Sequence, residues 1–204
     1  MKTLLIHGLG QTAAAWDKAA GFLPQGSFDA PELSALIGSG TYQELYRGFT
    51  ERCLSEQEPL CLCGLSLGAV LALNFAAERT DKVSALVLIA PQYKMPRALL
   101  KFQSAVFRLM PQSAFSGSGF SKEIFLKLTG SMAELDFTPM LKSVTCPAVI
   151  ACGERDKTNR KAAVKLAELL PDAEYAVIPG AGHEANTDAP ETTAELIKSA
   201  ISRR

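Results

Sequence analysis

Short apolar runs recur along the chain: KTLLI at 2–6, a weaker stretch at 28–33, PLCLC at 59–63, VSALVLIA at 83–90, PAVIAC at 147–152 and EYAVI at 174–178. Most are apolar at successive positions rather than at alternate ones. A strand with one wet face alternates, whereas a parallel strand covered on both faces does not. Between the runs, apolar residues return at helical spacing and predict helices near 12–22, 41–56, 67–79, 159–170 and 188–202. The last has Asp188 as its expected N-cap, Pro190 in the first turn and Glu191 three residues after the cap. Strands alternating with helices predict an α/β fold in three α/β/α layers. The sheet should have about six mostly parallel strands joined by right-handed crossovers.

The rhythm breaks once. More than fifty residues separate the runs at 83–90 and 147–152, and they hold helical patterns instead of a single crossover helix. In 96–110, Leu99, Phe102, Val106 and Leu109 share one helical face. A turn follows at QSAFSGSG (112–119), and a second helix is expected to begin at Ser121. The reading is one domain over 1–204, with a small helical cap inserted at 94–140.

Composition changes this picture little. A chain of 204 residues buries roughly 70% of its unfolded surface, enough for a core without staples. Twenty-one basic residues balance twenty-one acidic ones, so no nucleic acid or other polyanion is an expected partner. Five cysteines, four of them in or beside strand-like runs, predict reduced thiols and a cytoplasmic protein. Cys61-Leu-Cys63 lacks a second pair at zinc spacing, so neither a metal nor a cofactor is expected. The opening run is too short for a signal peptide. No apolar stretch approaches the ~20 residues that span a bilayer.

The chemistry sits at the junction LCGLSLGAV, residues 62–70. Gly64-Leu65-Ser66-Leu67-Gly68 comes straight after a predicted strand and straight before a predicted helix. A G-x-S-x-G there forms a nucleophile elbow, whose turn is too tight for side chains at 64 or 68 and lifts the serine hydroxyl above the sheet. Serine is a weak nucleophile at neutral pH and needs an adjacent base. The two histidines are His183, in GAGHEANTD after the last strand, and His7, in IHGLG at the end of the first. Asp156, in CGERDKTN, follows the strand at 147–152. Taken alone it reads as a turn or cap residue. The order Ser66, Asp156, His183, each past the carboxyl end of a different strand, lets the three converge on one sheet edge. Asp156 would orient His183, and His183 would take the Ser66 proton. After the 83–90 strand, Pro91-Gln92-Tyr93 offers no rival carboxylate. His7-Gly8 lets the first strand's exit approach the elbow. The Leu9 and Leu67 backbone N–H groups would then form an oxyanion hole, with His7 structural.

IHGLG, GLSLG, GERD and GAGH together resemble the α/β-hydrolase-fold superfamily across essentially the whole chain. The chain is similar to small, cofactor-independent serine esterases with a short cap. The resemblance implies six parallel strands with the first two exchanged in spatial order. Two further N-terminal strands of larger members have no counterpart before residue 2. The implied activity is hydrolysis of a small carboxylic ester or thioester, with a small-molecule acyl substrate as partner. The alternatives are lyase, C–C hydrolase or acyltransferase chemistry on the same triad, or a ligand-binding signalling protein with slow turnover.

Four of the five methionines and six of the ten phenylalanines fall in 94–140. They would serve equally as pocket wall or as core of the cap. Five basic residues and no acidic one lie between Lys94 and Lys122. They read as a solvated face, or as a site for an anionic group on the substrate.

Overall fold

The computed structural model describes residues 1–203 apart from 116 and 118, and the side chains at 97–99 and 101–103 lie outside the description. Among the described residues the strands are β1 Thr3–Ile6, β2 Phe28–Asp29, β3 Leu60–Leu65, β4 Val83–Ile89, β5 Ala148–Gly153 and β6 Ala173–Ile178. They make one sheet in the order β2-β1-β3-β4-β5-β6, parallel throughout. The helices are α1 Asp17–Ala20, α2 Tyr42–Leu54, α3 Leu67–Glu78, α4 Arg97–Leu109, α5 Lys122–Ser131, α6 Lys157–Leu169, α7 Ala185–Asp188 and α8 Pro190–Ser202.

Successive residues of β3 show why its sequence does not alternate. Leu60 and Leu62 enter a core with α2, α3 and α6. Cys61, Cys63 and Leu65 enter a second core with α1, α7 and α8. Burial on both faces excludes water from the whole strand, and it pushes the Cys61 thiol up to about 12. All five cysteines are free. No described helix is long and apolar enough to cross a membrane. The chain reverses its direction of travel across the sheet between β1 and β3. Such a switch point opens a crevice at the carboxyl ends of the strands, where ligands bind in open α/β sheets.

Several elements differ from the sequence expectation. The 28–33 strand shrinks to Phe28–Asp29, since Pro31 has no N–H to donate to the ladder. The 12–22 helix is a 3-10 turn at Ala13–Trp16 followed by the four residues of α1. α6 starts at Lys157, two residues early, because Asp156 caps it. Asp188 is not the cap of α8. It ends α7, and its carboxylate accepts the Gly182 N–H at 2.6 Å; Ala189 holds the cap position of α8.

The stripe expected to bury α4 is also corrected. Val106 is 38% exposed and Leu109 is 89% exposed; the Leu99 and Phe102 side chains lie outside the described residues. Leu100 and Phe107 pack inward instead. Phe107 meets Phe115 and Phe125 edge-to-face, with centroids 6.0 and 5.5 Å apart. The helix is apolar on adjacent stripes, so periodicity does not select the inner one.

Replacing Leu109 by Ser should therefore change stability by less than about 0.5 kcal/mol. Phe107→Ser should cost about 2 kcal/mol or more. Urea denaturation of both proteins checks this, and equal costs would contradict the packing of α4.

Candidate active site

The junction between β3 and α3 is built from backbone contact. A Cβ on Gly64 would lie 2.3 Å from the Gly68 carbonyl carbon, and one on Gly68 would lie 2.1 Å from the Ile6 carbonyl oxygen. Both distances are far inside van der Waals contact, so glycine is required for space. Neither glycine has a positive φ; Ser66 does, at φ 52° and ψ −108°. A non-glycine residue holds such a conformation only where its surroundings over-determine it, at a cost of order 1–3 kcal/mol. Here the Ser66 N–H donates to Ile89 O at 2.9 Å, and Ser66 O accepts the Val70 N–H at 3.0 Å. Leu67 opens α3, where the first N–H groups have no partner within the helix and the macrodipole is positive.

A second backbone contact joins β5 to the histidine loop. A Cβ on Gly153 would lie 2.0 Å from Gly182 O, so the strand end and the loop touch directly. Three residues past Gly153 stands Asp156, and one past Gly182 stands His183. Asp156 Oδ2 and His183 Nδ1 are 2.8 Å apart. The Asp156 side chain is 4% exposed and that of His183 is 45% exposed. Asp156 also caps α6 by accepting the Asn159 N–H. Asn159 Nδ2 donates to both carboxylate oxygens, at 3.0 and 2.9 Å. An ionised carboxylate can only accept, so the His183 Nδ1 that faces Asp156 carries the hydrogen between them; Asn159 Nδ2 lies 3.2 Å from the same ring nitrogen. Gln92 Nε2 donates to Asn159 Oδ1 at 2.8 Å, which fixes that amide's orientation. Burial alone would push the Asp156 carboxyl up. Hydrogen bonds from His183 and Asn159 outweigh it and hold the group below its ordinary 3.8.

His7 is fully buried at the end of β1. Its Nε2 faces the Leu33 N–H and Glu32 Oε1, both at 3.1 Å. Gly8 O can only accept, so the Nδ1 that faces it at 2.9 Å carries a hydrogen and donates to it. Gly8 sits close to Leu65, next to the elbow.

Ser66, Leu67, Leu9, Asp156 and His183 all line one cavity of about 390 Å³. Its remaining wall is largely apolar and includes Val70, Met95, Leu100, Phe107, Phe125 and Met132. Of the methionines and phenylalanines of 94–140, Met95, Phe107, Phe125 and Met132 line the cavity, and Met95, Phe125 and Met132 also belong to the buried core that holds Phe115, Phe120 and Phe137. Of the basic residues, Lys94 pairs with Asp136 at 2.8 Å, and Lys122 donates to the Arg108 and Met110 carbonyls at the end of α4. Among the described residues no three His, Cys, Asp or Glu side chains cluster as metal ligands do.

Sequence reading missed Asn159, Gln92, Gly153 and the buried amides Gln11 and Asn186. Gly153 had a local signal, a glycine at the end of a strand ahead of GERD's acid. The amides had none, because their partners are far away in sequence.

Residues 3–196 match the family model described as the alpha/beta hydrolase family, and the chain belongs to that family. The fold is similar to that of a thermophilic esterase from Thermogutta terrifontis with malate bound. Identity is 21%, coverage 100% of this chain and 90% of that one, and the TM-score 0.78. It is similar to a structure from work on carboxylesterases of the thaumarchaeon Nitrososphaera gargenis, at 18% identity, 99% and 90% coverage and a TM-score of 0.80. It is also similar to MenH from S. aureus, at 16% identity, 99% and 94% coverage and a TM-score of 0.81. At these identities the likeness is one of fold. No curated protein matches the chain in sequence.

A carboxyl held below its ordinary value stabilises the fold above its unfolded-state pKa, about 3.9, and that contribution is lost as pH falls through the lower folded-state value. Asp156→Asn keeps a capping side chain but cannot titrate. Between about pH 6 and about pH 3 the variant should therefore lose less stability than wild type in urea titrations. Parallel losses would show that Asp156 is not held ionised.

Proposed function

We propose that the protein is a serine hydrolase of small carboxylic esters or thioesters, working through Ser66, His183, Asp156 and an acyl-enzyme. The observation that carries this reading is the meeting, in one cavity, of a strained Ser66 with a His183 already paired to a buried, ionised Asp156.

The steps follow from the groups present. Asp156 accepts a hydrogen bond from the Nδ1–H of His183, which leaves Nε2 as the free base. Nε2 accepts the Ser66 proton as Oγ attacks the substrate carbonyl. Negative charge gathers on the carbonyl oxygen. The Leu67 N–H, at the positive end of α3, and the Leu9 N–H are the donors for it. Collapse expels the alcohol or thiol, which leaves with the proton from His183. A water then attacks the acyl-enzyme by the same route and frees the acid. Asp156 stays ionised throughout, orienting the ring and stabilising its charged form. Asn159 and Gln92 serve the acid indirectly, by fixing the carboxylate that fixes the ring.

The helical segment at 94–140 acts as the cap. Leu100, Phe107, Phe125 and Met132 supply one apolar wall of the cavity, which favours an uncharged acyl group. A cavity of about 390 Å³ suits short to medium chains. Lys94 and Lys122 are engaged within the protein itself, which argues against an anionic acyl group bound at either.

The purified protein, assayed on acyl esters and thioesters of graded chain length, should hydrolyse short to medium ones. Ser66→Ala should lower kcat by several orders of magnitude with its fold intact by circular dichroism. Turnover that survives in Ser66→Ala would overturn the reading.

A further inference from the structure

The Gly8–Leu9 peptide is pinned at its carbonyl. Gly8 O accepts the His7 Nδ1 hydrogen at 2.9 Å and the Gln11 N–H at 3.2 Å, which occupies both of its lone pairs. Because a trans peptide is planar, its C=O and the next N–H point in opposite directions. Pinning Gly8 O therefore aims the Leu9 N–H. On the other side of the residue, the Gly8 N–H donates to Gln11 Oε1 at 3.3 Å. Gln11 thus brackets the turn with its backbone and its side chain. Gly10, at φ 92°, supplies the left-handed residue that lets the turn close.

The Gln11 amide is in turn held across the molecule. Gln11 Nε2 donates to Asn186 Oδ1 at 3.2 Å, and Asn186 Nδ2 donates to Gln11 Oε1 at 3.3 Å and to Ala15 O at 3.2 Å. The pair is reciprocal and buried, with Asn186 0% and Gln11 7% exposed. Asn186 is buried three residues after His183, and His183 lines the cavity. The two side chains are 175 positions apart in sequence, yet they tie the turn bearing one oxyanion donor to the loop bearing the base.

Resting on the hydrolase reading, we propose that Gln11 and Asn186 form an amide clasp that sets the oxyanion turn against the histidine loop. Both are positioning residues for the reaction at Ser66. Base and oxyanion donor must meet one tetrahedral centre at the same moment, and a misplacement of about 1 Å costs on the order of a hundredfold in rate. Each loop is anchored to the sheet by its own backbone contact, at Gly68 and at Gly153, and the amide pair ties one loop directly to the other. Paired amides do so with directed bonds, which an apolar contact does not supply.

The test uses the full chain carrying Gln11→Leu, Asn186→Leu, both together, and Gln11→Glu. For each, kcat and KM are measured on one ester, with Ki for a trifluoromethyl ketone bearing the same acyl group. That inhibitor forms an oxyanion on Ser66 and reports on the hole directly. The clasp predicts kcat down about 10- to 100-fold, KM little changed, and Ki raised in step with the loss of kcat/KM. The double leucine variant leaves no side-chain amide unpaired and strands only the Gly8 N–H and the Ala15 carbonyl, so it should regain part of the lost thermal stability without regaining kcat. Gln11→Glu keeps the acceptor for the Gly8 N–H and should retain more kcat than Gln11→Leu. It also carries the test if the leucine variants fail to fold. Folded variants with wild-type kcat and Ki, or a lower kcat with unchanged Ki, would overturn the clasp. A wild type that hydrolyses no ester would count against the hydrolase reading instead. The clasp would then be read from the rate at which a fluorophosphonate modifies Ser66, slower in the variants if it holds and equal if it does not.

Discussion

The site depends on how closely the β3–α3 turn lies against the end of β1. With Gly68 bare, its Cα rests on the Ile6 carbonyl, where a methyl would sit 2.1 Å from oxygen. That approach brings the exit of β1, with Gly8 and Leu9, beside the start of α3. It also leaves Ser66 no relaxed backbone conformation, and the serine takes φ 52°. The strain is local and the restoring forces are many. β3 is buried along its whole length, and α3 is buried along nearly all of its own. A strained residue between two such elements cannot relax without moving both, so the hydroxyl is displayed rather than tucked away.

The same device recurs at the other half of the site. Gly153 lets β5 touch the backbone of the loop before His183, and the acid and the imidazole need only short side chains to meet. Asp156 then does two jobs with one carboxylate. It caps α6, whose N-terminal dipole favours negative charge, and it holds the His183 ring. Charge and helix start are linked: a substitution that discharges Asp156 loses its attraction to the dipole of α6, and one that removes the side chain also loosens the first turn. Asp188 plays a comparable part on the loop, where its carboxylate holds the Gly182 N–H and lies 3.8 Å from Arg155.

What could be read from the sequence was what is local in it. Gly64, Ser66 and Gly68 announce a tight turn because three locally unfavourable residues stand together. The unbroken apolar runs announce parallel strands because burial on both faces leaves no polar position. Placement past strand ends then brought Asp156 and His183 to the elbow's edge. What could not be read depends on distance or on a choice between equals. Gln11 and Asn186 are ordinary loop amides until the fold joins them. Asn159 looks like a first-turn helix residue, and only the position of Asp156 shows its second use. On α4, apolar residues occupy neighbouring stripes, so the sequence held no preference between Phe107 and Leu109. Asp188 followed the helix-cap pattern, but a backbone N–H on the histidine loop took its carboxylate first.

On the proposed reading, strain and pairing at this edge make Ser66 a nucleophile that carries the acyl group. Rapid-quench peptide mapping of wild-type protein mixed with a turnover-competent ester or thioester tests it most directly. The mass of the acyl group should appear on the peptide containing Ser66 within the first turnover and decay as substrate is exhausted. Product formed with no acylation of that peptide, or with the acyl group on another residue, would contradict it.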